Sequence, residues 1–171
     1  MADIESLIKE IEEETYDSAD MPFDFVEEGV STALVCEPEA ELREKIKGAL
    51  EGMGYRITQA ETAREALKRC RFHIYNVIVV NERFDAANPD DNPFVTYLAK
   101  LPMALRRDTF VCLVSDRYRT MDKMAAFHRS VNLVLNRKNL DEFAAILKTA
   151  IADHQAFYKI FQETKKRVER D

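Results

Sequence analysis

The feature that most constrains the fold is a series of short apolar runs separated by segments with helical periodicity. The runs cover residues 32–36, 77–80, 110–114 and 131–135, and residues 55–60 alternate between apolar and polar like a half-buried strand. Continuous β-branched runs of this kind are typical of parallel strands that are buried on both faces. A helical segment follows each strand, so the order is βα five times. This order predicts a parallel sheet with helices on both faces.

Signals for helix starts and stops support these elements. Pro38 is suited to the first turn of a helix, and Thr62 is placed to cap the next one. Asn139 and Glu142 have the spacing of a capping box, which predicts that the last helix begins beside them.

Size and charge exclude several classes of protein. The chain has 171 residues and a net charge of −6, which indicates one compact domain with terminal extensions. Its basic residues are interspersed with acids, so nucleic-acid binding is not predicted. The apolar runs are too short to span a bilayer, and the first residues lack the pattern of a secretory signal, so no membrane contact and a cytoplasmic location are expected.

The metal-binding and redox residue types show no useful spacing. The three cysteines are far apart and form no CxxC pair, and two of them lie in apolar runs where a thiol packs as a small hydrophobe. The three histidines are equally scattered. Neither a metal nor a cofactor is therefore predicted from these residues: Cys36, Cys70, Cys112, His73, His128 and His154.

Polar residues stand at the predicted carboxyl ends of four strands, where ligands gather in parallel sheets. They are Glu37 with Pro38 after the first strand, Asn81 after the third, Ser115 after the fourth and Asn136 after the fifth. Together with their flanking segments 34–38, 60–67, 76–84, 110–115 and 132–136, they resemble, in order, the receiver domains of bacterial response regulators. The resemblance covers about residues 31–152, and its specificity lies in the combined order because no single motif is diagnostic.

The resemblance implies a flavodoxin-like, doubly wound sheet of five parallel strands, as in CheY-like domains. It also implies a phosphorylation pocket with acids for Mg²⁺, an acceptor aspartate, a hydroxyl and a lysine. Glu37 keeps one acid and Ser115 keeps the hydroxyl. Pro38 replaces the second acid, Asn81 stands at the acceptor position and Asn136 replaces the lysine. An amide offers no carboxylate oxygen to form an acyl phosphate, so the pattern indicates a pseudo-receiver.

Other positions bear on the same pocket. Leu133 replaces the aromatic switch residue of the family, and Arg137 stands where the family usually has proline. Simpler roles stay open for the pocket residues, since Glu37 also suits a helix start, Ser115 a backbone cap and Asn81 a turn. An offset acid in the 82–91 loop is an alternative acceptor, and the candidates are Glu82, Asp85, Asp90 and Asp91.

The ends of the chain differ from the receiver-like part. The sequence predicts three regions: residues 1–30 as an acidic extension with a short helix and linker, 31–152 as the receiver-like domain, and 153–171 as a continuation of the last helix. Phe157, Tyr158 and Phe161 extend the apolar stripe of that helix beyond the sheet. They predict either packing against Phe23 and Phe25 or an interaction surface.

The predicted function follows from the missing chemistry. The chain is expected to be a non-enzymatic interaction module in a bacterial two-component-like pathway, binding a signalling protein or itself as a homodimer through the last helix. A phosphorylatable regulator that uses an offset acid is the first alternative. A small-molecule-binding α/β protein is the second, although none of the four glycines lies in a loop that could cradle a phosphate.

Overall fold

The computed structural model describes residues 4–14 and 29–170. Its five strands form one sheet, with β1 at Thr32–Cys36, β2 at Arg56–Gln59, β3 at Val77–Asn81, β4 at Phe110–Ser115 and β5 at Leu133–Asn136. The order across the sheet is β2-β1-β3-β4-β5, and all four pairings are parallel. The predicted doubly wound fold is confirmed.

Helices cover both faces of the sheet. They are α1 at Ile4–Glu13, α2 at Ala40–Gly52, α3 at Ala63–Phe72, α4 at Pro93–Lys100, α5 at Met103–Arg106, α6 at Lys123–His128 and α7 at Phe143–Val168. Within the described residues, 3₁₀ segments lie at Pro89–Asp91 and Arg137–Glu142.

Alternate residues of each strand enter different cores, as the period of a strand requires. On β1, Leu34 belongs to the core beneath α1, α3, α4 and α6, whereas Val35 belongs to the core beneath α2 and α7. The same division along β3 places Ile78 in the first core and Val79 in the second. Because both faces are covered, the central strands are apolar throughout.

Local signals are partly confirmed. Thr62 caps α3 by accepting a hydrogen bond from the Glu65 amide, and Gly54 adopts the left-handed conformation, with φ of +88°, in the turn before β2. The capping box predicted for the last helix is wrong. Residues Arg137–Glu142 form a 3₁₀ segment, and the Asn139 side chain instead accepts a hydrogen bond from the Thr120 hydroxyl.

The last helix runs unbroken from Phe143 to Val168, across the predicted boundary at residue 152. Leu147 is buried beneath the sheet, while the second half lies against the loop before β4. There Asp108 accepts a hydrogen bond from Gln162 at 3.1 Å, and the Arg107 guanidinium lies 4.2 Å from the centre of the Phe161 ring. These contacts therefore hold the C-terminal part of α7 against the domain.

Candidate functional site: the carboxyl edge of the sheet

The pairing of the strands brings the predicted site residues to one edge. Asn81 is aligned with Val114 on β4, and Ser115 is aligned with Asn136 on β5. Glu37 follows β1 directly, next to the end of β3. Because parallel strands end at the same edge, four residues that are far apart in sequence lie along one edge of the sheet, which we call the carboxyl-edge pocket.

The centre of the pocket is a hydrogen bond between Asn81 and Glu37. The Asn81 amide nitrogen donates to Glu37 Oε2 at 2.8 Å, and its carbonyl oxygen accepts from the Arg83 backbone amide at 2.9 Å. The second oxygen of Glu37 accepts from the Glu39 amide at 3.0 Å. The two side chains therefore contact each other, and both ends of the Asn81 amide are engaged.

Glu37 is buried, with 1% of its surface exposed. Burial raises the pKa of its carboxyl group, while the hydrogen bonds from Asn81 and from the Glu39 backbone oppose that rise. The neutral amide thus satisfies a buried anion without adding a second negative charge. Pro38 comes next, is exposed and has no carboxylate to add.

Asn136 stabilises a loop and leaves the centre of the pocket without a lysine. Its amide nitrogen donates to the Tyr118 carbonyl at 2.8 Å, and its amide oxygen accepts from the Lys138 backbone at 3.0 Å. The neighbouring Arg137 carries the positive charge on this side, where its guanidinium is 2.9 Å from Glu39 and 3.4 Å from Asp116. That charge is paired at the rim.

A second buried carboxylate, Glu82, directly follows Asn81 at the end of β3 and is 1% exposed. Its Oε1 accepts from the Ser115 hydroxyl at 2.9 Å and from the Asp116 backbone amide at 3.0 Å. Its Oε2 accepts from the Arg117 side chain at 3.0 Å. The ends of β3 and β4 are thereby tied together by a charged network.

The structural role of Glu82 was missed from the sequence, which suggested Glu82 only as an offset acceptor. The sequence contains a pattern that indicates this role, because an acid directly follows β3, a serine ends the neighbouring β4 and an arginine comes two positions after that serine. Parallel pairing places such residues side by side. The Ser115 hydroxyl does act as a backbone cap, since it accepts from the amides of Arg117 and Tyr118 at 3.0 and 3.3 Å.

The other acids of the 82–91 loop are also engaged. Asp85 accepts from the Ala63 amide at 2.8 Å, and Asp91 accepts from the Asn88 side chain at 2.8 Å. Asp90 forms ion pairs with Arg117 at 3.0 Å and Arg129 at 3.2 Å, and the Arg117 hydrogen bond holds the pKa of the Asp90 carboxyl below its usual value.

Leu133, at the predicted switch position, is buried at 3% exposure in the core beneath α2 and α7. An apolar side chain here has no hydroxyl to exchange between a buried and an exposed partner. It therefore contributes to packing.

The stripe on α7 is partly exposed. Phe157 is 80% exposed, whereas Tyr158 is half-buried against His154 and Phe161 lies under Arg107. Phe157 lines a groove of about 510 Å³ together with Phe127 of α6, which is 81% exposed. Phe23 and Phe25, the predicted packing partners, lie outside the described residues.

Comparison with known proteins gives a consistent result for the fold. A putative response regulator from Chloroflexus aurantiacus J-10-fl matches with a TM-score of 0.58 and 16% identity over 71% of this chain and 98% of its own. The non-phosphorylated HemR receiver domain from Leptospira biflexa matches with a TM-score of 0.56 and 21% identity over 71% and 94%. This chain has the response-regulator receiver fold. The chemotaxis response regulator CheY4 of Vibrio cholerae matches it similarly, with a TM-score of 0.57 and 16% identity over 71% and 98%.

Sequence comparison adds no closer relationship to this receiver fold. No protein-family model and no curated protein matches the chain. No helix in the described part, residues 4–14 and 29–170, is both long and apolar enough to cross a bilayer.

The pocket does not fit the Mg²⁺ site that the receiver fold implies. Magnesium prefers several carboxylate oxygens in octahedral geometry. Glu37 accepts a hydrogen bond from the Asn81 amide, and the amide hydrogens that face this carboxylate repel a cation. Pro38 supplies no oxygen from its side chain. Within the described residues, no group of three or more His, Cys, Asp or Glu side chains has metal-site geometry.

Proposed function

We propose that this chain is a cytoplasmic, receiver-like signalling module that acts by binding other proteins in a bacterial two-component-like pathway, without being phosphorylated at the position of the family's acceptor. It is not an enzyme in this proposal. The observation that carries the proposal is the 2.8 Å hydrogen bond from the Asn81 amide to the buried Glu37 carboxylate.

The chemistry of the amide supports this proposal. Phosphoryl transfer needs a nucleophilic oxygen, a metal and a positive charge that are aligned to within a fraction of an ångström. Asn81 offers a donor to Glu37 and an acceptor to the Arg83 backbone, so both its polar atoms already have partners. The lysine position, Asn136, is used to hold the Tyr118 carbonyl.

The network around Glu82 supports a single conformational state. In a working switch, a ligand shifts an equilibrium only if it binds the two states differently. Here the Ser115 hydroxyl donates to a buried carboxylate of its own chain, and Arg117 closes the other side of that carboxylate. We infer that the loop after β4 is held permanently by Glu82 and Arg117.

The same contacts argue against an offset acceptor. Glu82 is buried with both oxygens engaged, and Asp90 is paired with two arginines. Using either as a nucleophile would require breaking charge-assisted hydrogen bonds before any reaction. Asp85 is likewise occupied at the start of α3.

The exposed apolar side chains of α6 and α7 are the proposed interaction surface. Phe157 and Ile160 are 80% and 78% exposed on α7, and Met124 and Phe127 are equally exposed on α6. We propose that this surface binds a signalling protein or a second copy of the chain. Phe157→Ser together with Ile160→Ser should abolish a dimer seen by light scattering, whereas Val168→Ser near the helix end should not. A dimer unchanged by the double substitution would exclude this part of α7.

Phosphorylation is tested by incubating the chain with acetyl phosphate and Mg²⁺ and measuring the intact mass at once, beside a receiver domain known to be labelled. The expected result is no gain of a phosphoryl group. Because acyl phosphates hydrolyse, a parallel sample is treated with beryllofluoride, and no complex should form. A labelled peptide from residues 82–91 would favour the offset acceptor instead.

The substitution Asn81→Asp gives a sharper form of the test. We expect no labelling of this variant, because Pro38 and Asn136 still deny the pocket a second acid and a lysine. Robust labelling by acetyl phosphate would show that the remaining residues suffice and that the loss is confined to one position.

A further inference from the structure

The described N-terminal helix, α1, covers a face of the domain on the opposite side of the sheet from α7. Ile11 is buried at 4% exposure, and Leu7 packs half-buried against the same core. The face beneath them is formed by α3 and α4. Its apolar centre includes residues of the same core, namely Leu67, Cys70, Tyr97, Leu98 and, just after α4, Leu101.

Basic side chains of α3 and α4 border this face and are matched by acids on and just after α1. Arg64 pairs with Glu10 at 3.1 Å and also with Glu14, which in turn contacts Lys68. At the other end of the helix, Lys100 of α4 is 3.4 Å from Glu5. The face thus carries an apolar centre with a positive rim, and its occupant carries the complementary pattern.

The end of α1 is recognised by its backbone as well. The Arg71 guanidinium donates to the carbonyl oxygen of Ile11 and, at 3.0 Å, to that of Glu12. These carbonyls belong to the last turn of the helix, where unpaired acceptors and the negative end of the dipole attract a cation. Arg71 therefore binds the carboxyl end of the helix through its backbone. This contact does not depend on which side chains the helix carries.

The attachment of α1 is suited to exchange. The helix has ten residues, which is too short to be stable without packing. One of its side chains is buried, and the ion pairs are solvent-accessible contacts of the kind that contribute little and weaken with salt. Segments with few buried apolar contacts are the first to open.

We propose that the face of α3 and α4 is a docking site for an acidic amphipathic helix of a partner protein, and that α1 is the chain's own removable occupant of that site. Competition between the two helices would make exposure of the face depend on the partner. This surface is separate from the carboxyl-edge pocket and from the stripe on α7, so the proposal does not rest on the absence of phosphorylation.

The test uses a fluorescent peptide with the sequence of residues 4–14 as the acidic helix, and the full chain as receptor. Ile11→Asp places a charge in the apolar centre and is expected to release α1 without changing the face. The peptide should bind this variant one to one, and at least about tenfold more tightly than it binds the wild type, whose tethered helix competes. Ser6→Asp, the same new charge at an exposed position of α1, is the matched control and should behave as wild type.

Two further measurements test which contacts bind the peptide and whether it covers the face. A peptide carrying Glu10→Lys and Glu14→Lys should lose binding, and Arg71→Ala in the released chain should weaken it. The reactivity of the Cys70 thiol gives a second signal, because burial raises its pKa to about 12. The other two cysteines, Cys36 and Cys112, are fully buried in the sheet, so Cys70 is the thiol expected to respond. Its reaction with a disulfide reagent should speed up in Ile11→Asp and slow again when the peptide is added.

Several results would overturn the proposal. If Ile11→Asp unfolds the chain by circular dichroism, Ile11→Ala serves as the releasing variant, since it removes the buried apolar contact of α1 without placing a charge in the core. Failure of a folded released variant to bind the peptide, or equal binding by the wild type, would show that the face is not an exchangeable site. Dimers of the wild type that dissociate on changing Glu10 and Glu14 would assign the face to a second copy instead.

Discussion

Replacing Asn81 by aspartate should create a buried repulsion whose cost depends on pH. The amide nitrogen lies 2.8 Å from Glu37 Oε2, and Glu37 is 1% exposed. The new carboxylate would keep the acceptor that meets the Arg83 backbone but lose the donor that faces Glu37. Two unit charges that relax to about 4 Å repel by about 4 kcal/mol at an effective dielectric constant of about 20.

Protonation sets an upper limit to this cost. The introduced carboxyl group has a pKa of about 3.9 in the unfolded chain. Keeping it protonated in the folded state, where it then does not repel Glu37, costs about 1.4 kcal/mol for each pH unit above that value. Its pKa is raised on folding, so the destabilisation is absent below the unfolded pKa and grows as pH rises. We expect Asn81→Asp to lose about 4 kcal/mol at pH 7 and about 1.5 kcal/mol at pH 5.

Chemical denaturation at pH 5, 6 and 7 measures the difference from the wild type. Adding Glu37→Gln to the variant should recover most of the loss at pH 7 and little at pH 5. Asn88→Asp is the matched control, because the Asn88 amide also donates to a carboxylate, that of Asp91 at 2.8 Å, but in solvent. It should cost less than about 1 kcal/mol at every pH. A loss for Asn81→Asp that does not change with pH would show that no buried carboxylate repulsion is formed.

Two other predictions concern charges elsewhere in the domain. Arg117→Ala should cost about 2 kcal/mol in urea unfolding, less than a fully buried pair because the Arg117 side chain is 35% exposed, and adding Glu82→Gln should recover about half of it. Arg119→Ala, at an exposed neighbour, should change stability by less than about 0.5 kcal/mol, and an equal loss for both arginines would contradict the network. Burial, with a smaller effect of Arg106, lowers the pKa of His154, so its contribution to stability is present above its unfolded pKa of about 6.5 and is lost as pH falls. As the pH falls from 7.5 to 5.5, the His154→Gln variant should therefore lose less stability than the wild type. Equal losses in the two proteins would contradict this.

The alternation of apolar runs with helices predicted the sheet, its parallel pairing and the edge that holds Glu37, Asn81, Ser115 and Asn136. These features follow from periodicity and from the short connections, which are local properties of the sequence. The start of the last helix was not predicted correctly, because the Asn139 side chain bonds to Thr120, a residue 19 positions away. Tertiary contacts of this kind overrule a local capping signal.

The charged network could not be predicted from each strand taken separately. Glu82 looked like one of several loop acids, and only the pairing of β3 with β4 gives it Ser115 and Arg117 as partners. The position of α1 was equally hidden. Its apolar spacing predicted a helix, but the basic residues that receive it are on α3 and α4, some 50 to 95 positions later.

Whether the Asn81 amide occupies the acceptor position is tested by its side-chain signal in a ¹H–¹⁵N spectrum, assigned by its loss in Asn81→Asp. We expect an amide signal that is shifted by the hydrogen bond to Glu37 and stays unchanged when Mg²⁺ and beryllofluoride are added. Movement of that signal together with the Ser115 backbone amide on addition would contradict this expectation, because the pocket would then bind the phosphoryl analogue.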